Sequence, residues 1–194
     1  MINRLLVKLV SIAAALMLGF LSSPLFAKQQ LQLSYKVNKS AVSISNDMEL
    51  KTVGKAEFSY LFWDIYDSIL YTQSGIVTQP SIWFEQAPLM LEIRYKRDIK
   101  AKDLVDSTIE QWQHLKIPAT RYEAYPDWLL SIWPNLKDGD RLALLMYPDH
   151  STFFYNGEFL AHQQDPDFAQ LFLSIWLDKN TSEPKLRAKL LNLK

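Results

Sequence analysis

The chain has 194 residues, with 21 basic and 21 acidic side chains and no cysteine. Its balanced charge excludes the strongly basic surface that a nucleic-acid partner requires. Without cysteine there are no disulfides and no thiolate metal sites, so the fold rests on packing, a task suited to an aromatic content of 13%.

Met1 to Lys8 carries Arg4 and Lys8 and no acid, Leu9 to Phe20 is predominantly apolar, and Ser22, Ser23 and Pro24 break that run before Ala27. This is the order of a secretory signal. The apolar run of about a dozen residues falls short of the ~20 that a helix needs to cross a bilayer. The expectation is a signal peptide over residues 1–27, cleaved after Ala27, and a single domain over residues 28–194 with no membrane span. Leu25 at the third position before the cut is less usual than alanine, which leaves a retained anchor as the alternative. A lipoprotein is excluded, because no cysteine is present to be acylated. The leading segment holds two basic residues and no acidic one, so the remaining 167 residues carry a formal charge of −2.

Leu31, Leu33, Tyr35 and Val37 alternate as a leading strand, followed by a loose segment through Ser40 to Ser45. Leu50 to Tyr71 reads as two consecutive strands bent near Trp63 and Asp64. Gly75 sits in a turn, and Pro80 and Pro88 bracket a loop. In the next stretch Leu89, Leu91, Ile93 and Tyr95 alternate with Met90, Glu92, Arg94 and Lys96, which predicts a half-buried strand. A helix beginning at Asp98 or Lys100 places Leu104, Val105, Thr108, Ile109, Trp112 and Leu115 at spacings of three and four. Pro126 to Trp133 predicts a short helix stopped by Pro134. Asp138, Gly139 and Asp140 turn into a strand over Leu142 to Tyr147. Thr152 to Tyr155, an Asn156–Gly157 type I′ turn and Glu158 to His162 complete a three-stranded meander. Asp165 caps a helix starting at Pro166, and a last helix spans about Glu183 to Leu191. Clustered strands with hairpin connections point to an α+β domain, an antiparallel sheet with helices on one face.

Few constellations carry chemistry. His114, His150 and His162 fall on separate predicted elements, with no spacing that makes a metal site. No nucleophile elbow or glycine-rich phosphate loop is present, so no cofactor is implied. Asp64 and Asp67 flank Ile65 and Tyr66 and are candidates for shared acid and base work, or plain solvated residues at a strand bend. Phe58, Tyr60, Phe62, Trp63, Tyr66 and Tyr71 exceed what one sheet face needs, so some of them are candidates to line a cleft, with core packing as the competing reading. Arg94, Lys96, Arg97, Lys100 and Lys102 form a basic cluster able to meet a carboxylate, or simply a solvated surface.

Val53-Gly54-Lys55, Leu61 through Tyr71, and Tyr95-Lys96-Arg97-Asp98-Ile99 leading to Trp112 together resemble the bacterial chalcone isomerase-like family. So do the Asp138-Gly139-Asp140 turn, the Phe154-Tyr155-Asn156-Gly157 hairpin, the Asp165-Pro166 helix start, Ile175-Trp176-Leu177, and Leu186-Arg187 through Leu190-Leu191. The likeness covers roughly Leu50 to Leu191. It implies an open-faced β-sandwich, a large antiparallel sheet under a layer of helices. Plant chalcone isomerases close a flavanone ring with an arginine, a threonine, a tyrosine and an asparagine. Here the tyrosine position falls on Lys100, the asparagine position on Ser107 and the threonine position on Tyr66. The arginine position falls near Gly54 and Lys55, where a lysine keeps the charge without the guanidinium fork. The resemblance therefore implies no chalcone isomerase activity.

Other branches of that fold bind fatty acids without catalysis. The resemblance implies an exported, periplasmic, non-enzymatic domain that takes a fatty acid or similar small amphiphile into an apolar cleft. Lys55 and Tyr66 are the implied polar contacts, with Trp63 and Trp112 as walls. The alternatives are a cell-envelope interaction module using an exposed aromatic surface, and an isomerase or lyase of unknown substrate.

Overall fold

The computed structural model describes residues 34–38, 41–44, 48–61 and 63–193. The expected signal segment, Leu31, Leu33 and Phe62 lie outside the described residues. Eight strands run in chain order across one antiparallel sheet: β1 (Tyr35–Asn38), β2 (Ala41–Ile44), β3 (Met48–Tyr60), β4 (Trp63–Thr72), β5 (Leu89–Tyr95), β6 (Arg141–Met146), β7 (Ser151–Tyr155) and β8 (Glu158–Gln163). The three-stranded meander expected from the sequence is the end of a much longer one. Ser40 to Ser45 was expected to be loose, yet β2 pairs Val42 with Val37 and Leu50. The bend expected at Trp63 and Asp64 is a hairpin that turns at Leu61, with φ of 56° and Tyr60 facing Trp63. Within the expected loop, Pro80–Gln86 forms a short 3-10 stretch that buries Trp83.

The sheet curls. Ser34 bridges to Glu158, and the Tyr35 N–H donates to the Gly157 carbonyl at 2.8 Å, so the first strand returns to the start of the last. Strand side chains alternate between faces, so this curl creates two apolar interiors. On one side Tyr35, Ile44, Leu50, Tyr71, Met90, Ala143, Leu145 and Phe154 form a small core inside the near-barrel. On the other side Leu89, Leu91, Ile93 and Tyr95 of β5 join the main core. The half-buried strand expected at Leu89 to Lys96 is therefore buried on both faces. Met90 is fully buried and Glu92 is 5% exposed, because the curled sheet covers the face that alternation alone assigns to water.

Four helices cover the main core: α1 (Ala101–His114), α2 (Pro126–Ile132), α3 (Pro166–Leu177) and α4 (Pro184–Leu190). Their boundaries lie within a residue or two of the sequence expectation. Val105, Thr108 and Trp112 supply the buried stripe of α1, and the Ala101 N–H at its start donates to the Asn135 side chain at 2.9 Å. In α3 the Asp165 carboxylate accepts from the Asp167 N–H at 3.0 Å and from the Tyr125 hydroxyl at 2.6 Å. The two-residue turn at Asn156 and Gly157 has positive φ at both positions, 52° and 94°, as type I′ geometry requires. Helix α4 sits directly on β3: a Cβ placed on Gly54 would lie 2.1 Å from the Lys189 carbonyl oxygen. That close approach requires glycine there.

The inner core holds one carboxylate. The Tyr35 hydroxyl donates to Glu92, whose Oε2 also lies 3.6 Å from Arg141, and the Arg141 guanidinium sits 5.8 Å from the centre of the Tyr35 ring. Burial, then the neighbouring Glu92 charge, holds the Tyr35 phenol well above its usual pKa. These three residues tie β1, β5 and β6 together where the curl closes. Tyr35→Phe removes the short hydrogen bond and leaves the buried carboxylate to Arg141 alone. It is expected to lower the unfolding free energy by about 1–3 kcal/mol in urea melts, and an unchanged midpoint would show that backbone pairing alone closes the sheet.

Candidate functional site

The helix layer does not seal the main core. Between the sheet and helices α1 and α3 lies a cleft of about 280 Å³, close to the lower end of the roughly 300–1,000 Å³ usual for small-molecule sites. Its floor is Leu91, Ile93 and Tyr95 of β5, Leu142 and Leu144 of β6, and Phe153 of β7, with Phe58 and Tyr66 from β3 and β4 at one side. Its roof is Leu104 and Thr108 of α1 with Phe172, Ile175 and Trp176 of α3. The sequence builds this simply. Alternation sends every second sheet residue toward the helices, and the helical period sends Leu104, Thr108 and Gln111 to one face of α1.

Polar groups in the interior are few, and most are donors. Tyr66 stands 5.1 Å from the Phe58 ring, and its hydroxyl accepts from the Trp176 Nε1–H at 3.0 Å, which leaves its own proton free. Burial, opposed by the Trp176 bond and helped by the charge of Glu183, pushes its pKa up to about 12. Tyr95, 6.1 Å away ring to ring, is held higher still by burial and by Tyr66. Trp133 is 4% exposed, and its Nε1–H meets no hydrogen-bond partner. Thr108 is already spent on the Leu104 carbonyl at 2.8 Å. The rim consists of Asp103, Ser107, Glu110, Gln111, Ser182 and Glu183, with Ser182 donating to Gln111 at 2.8 Å. Among the lining residues there is no lysine and no arginine.

Of the four residues implied as ligand contacts, Tyr66 lines the cleft and three do not. Lys55 is exposed and faces a separate shallow groove with Glu57, Asp67 and Lys189, because its neighbours Ala56 and Phe58 are the ones that side with the helices. Trp63 is 67% exposed at the tip of the β3–β4 hairpin, beside Tyr60 at 63% and Leu61 at 76%. Trp112 has no exposure at all. Its Nε1–H donates to the Leu171 carbonyl at 3.1 Å and its ring stacks on Tyr122, so it binds α1 to α3 as core. The sequence-derived aromatic surplus thus divides: Phe58 and Tyr66 in the cleft, Tyr60 and Trp63 in solvent, Tyr71 in the inner core. Asp64 accepts from Ser59 at 2.6 Å and Asp67 pairs with Lys96 at 2.6 Å, so neither carboxylate is turned to the other. In the basic cluster Lys96 is thereby engaged, and Lys102 pairs with Asp106 at 2.6 Å. Reasoning from sequence missed Tyr95, Trp133 and Trp176. The signal for Tyr95 was present in the alternation of β5, which puts it on the same face as Leu91 and Ile93.

His150, in the connection before β7, and His162, in β8, lie on separate elements as expected, and the pairing of β7 with β8 sets their rings 4.6 Å apart. Tyr147 stacks on His150 at 4.4 Å, Asp149 lies 2.7 Å from the His150 Nδ1, and Thr152 lies 3.3 Å from the His162 Nδ1. No group of three metal-ligating side chains converges among the described residues.

Comparison with known proteins fits this geometry. A family model described as chalcone isomerase-like matches residues 33–192. An uncharacterized protein of Haemophilus influenzae is 27% identical over 139 residues, which is 72% of this chain and 66% of that protein. The chain thus spans just under two thirds of that relative's length. A crystal structure of a fatty-acid binding protein from Arabidopsis thaliana superposes with a TM-score of 0.56 at 12% identity, covering 81% of this chain and 89% of that one. At that identity the likeness is one of fold: a curled antiparallel sheet with helices against one face.

The histidine pair gives stability a defined pH dependence. Burial first, and then the neighbouring His150, lowers the pKa of His162 below its ordinary value of 6.5, with Asp149 opposing. A group depressed in the folded state takes up its proton more readily when unfolded. Stability is therefore expected to fall as the pH drops below about 6.5. Thermal melts of wild type and His162→Gln between pH 7.5 and 5 check this: the wild type is expected to lose more stability on acidification than the variant, and parallel curves would contradict it.

Proposed function

Because this chain belongs to the chalcone isomerase-like family, we propose that it is a non-catalytic binding protein that takes the apolar part of a small amphiphile into the cleft between the sheet and helices α1 and α3. The observation that carries this reading is the cleft itself, walled by aliphatic and aromatic side chains and opening to a polar rim. Each buried methylene contributes about 0.8 kcal/mol before ordering costs, so an acyl chain of modest length gains enough to bind without any reacting group. The phenols of Tyr66 and Tyr95 are both raised by burial, which suits hydrogen-bond donation and not proton abstraction at neutral pH. That the Arabidopsis protein of the same fold is a fatty-acid binder supports the ligand class.

A second reading, an interaction module of the cell envelope, is favoured by one feature: the hairpin tip exposes Tyr60, Leu61 and Trp63 together. Such a cluster suits a partner surface. The two readings separate by mutation. Leu104→Trp, placed at a half-buried lining position, is expected to fill the cleft and weaken uptake of a neutral fluorescent naphthylamine probe at least tenfold, while Tyr60→Ser with Trp63→Ser leaves uptake unchanged. Loss of uptake only in the hairpin variant would move the function to the tip.

Export to the periplasm is part of the same proposal and is supported by the basic, apolar and small-residue order of the first 27 residues. Intact mass of the protein from a periplasmic extract is expected to correspond to a chain beginning at Lys28. A full-length chain confined to the cytoplasm would overturn it.

A further inference from the structure

We propose that the cleft selects an uncharged long-chain amphiphile whose polar end is an oxygen acceptor, such as a ketone, ester or alcohol, and discriminates against the fatty-acid anion. This deepens the binding reading above and rests on it. Two independent observations carry it. The first is the supply of unspent donors: Tyr66 accepts from Trp176 without donating, no side-chain hydrogen bond joins the Tyr95 phenol to another described residue, and the Trp133 Nε1–H, buried in the cleft wall, has no partner. A buried donor without an acceptor is costly, so a ligand oxygen placed there recovers what the protein alone leaves unmade.

The second observation is the sign of the surrounding charge. Asp103, Glu110 and Glu183 stand at the rim, and no lysine or arginine lines the cleft. Glu183 is near enough to act on the Tyr66 phenol. Three cations on neighbouring elements are engaged elsewhere: Lys96 on Asp67, Lys102 on Asp106, and Arg187 on the carbonyls of Leu177 and Pro80 at 2.8 and 3.1 Å. A carboxylate entering this site loses water and meets like charge without a counter-ion. An alkylammonium finds favourable charge at the rim but brings no acceptor for the interior donors. A neutral oxygen satisfies the donors and meets no repulsion.

The test is displacement of a neutral fluorescent naphthylamine probe from the domain at pH 7.5 by 2-tridecanone, laurate and dodecyltrimethylammonium. The ketone is expected to bind at least tenfold more tightly than either charged competitor. Glu110→Gln with Glu183→Gln is expected to improve laurate relative to the ketone at least threefold, and Tyr95→Phe is expected to weaken the ketone by a similar factor. Laurate or the ammonium matching the ketone in the wild type would overturn the headgroup proposal while the cleft reading stands. No uptake of the probe or of any competitor would overturn both.

Discussion

Everything in this molecule depends on the strict alternation along β5. Leu89, Leu91, Ile93 and Tyr95 face the helices while Met90 and Glu92 face the interior of the curl, and both sets are buried. A slip of one residue would exchange the two sets, placing a carboxylate among the aromatic rings of the main core and a bare isoleucine opposite Tyr35 and Arg141. The register is held from both sides. Seven consecutive residues of β4 and six of β6 pair with it, so its faces cannot be reassigned without breaking the centre of the sheet.

The two sides of that strand have become different materials. Inside the curl, eight buried apolar side chains pack around the Tyr35–Glu92–Arg141 contact. On the helix side Phe153 packs edge to face on Phe168, Phe172 and Trp133 at 5.4 to 6.0 Å, and Phe168 stacks on Phe172, which fills space under α2 and the first half of α3. Farther along α3 the partner is α1, whose residues facing the sheet there are Leu104, Ser107, Thr108 and Gln111. Ser107 and Thr108 are too short to reach the floor, and the gap between layers remains. The floor and roof of the cleft are thus strands and helices, a setting in which the positions of Tyr66 and Tyr95 are well defined.

Much of this was legible in the sequence, and the failures share a cause. Helix α1 declared itself by spacing, α3 by Asp165 and Pro166, and the last hairpin by Asn156 and Gly157, because each of those signals is local. Glu92 was read as solvent-facing, because alternation reports that two faces differ and not what covers each one. Lys55 was given a ligand role by position, and a strand's period of two settled its direction differently. Trp112 was treated as a wall, when a helix stripe that includes Val105 and Thr108 already marks it as core. The approach of His150 to His162 was not anticipated, because a strand pairing joins residues that no window along the chain compares.

The relation between this site and the enzymes that share its family name is also one of direction. Two of the positions where the resemblance sets catalytic side chains of the plant enzymes, Tyr66 and Ser107, line the cleft. Lys55 and Lys100 do not line it, and no lysine or arginine is among the lining residues. What remains is an apolar slot with hydrogen-bond donors and an acidic rim. Removing one cation while keeping the walls changes a site from one that stabilises developing negative charge to one that recognises shape and neutral polarity, because in a low-dielectric cleft the charge balance outweighs any single hydrogen bond. Of those positions only Tyr66 pairs with β5, opposite Tyr95, so the others are free to vary without disturbing its register.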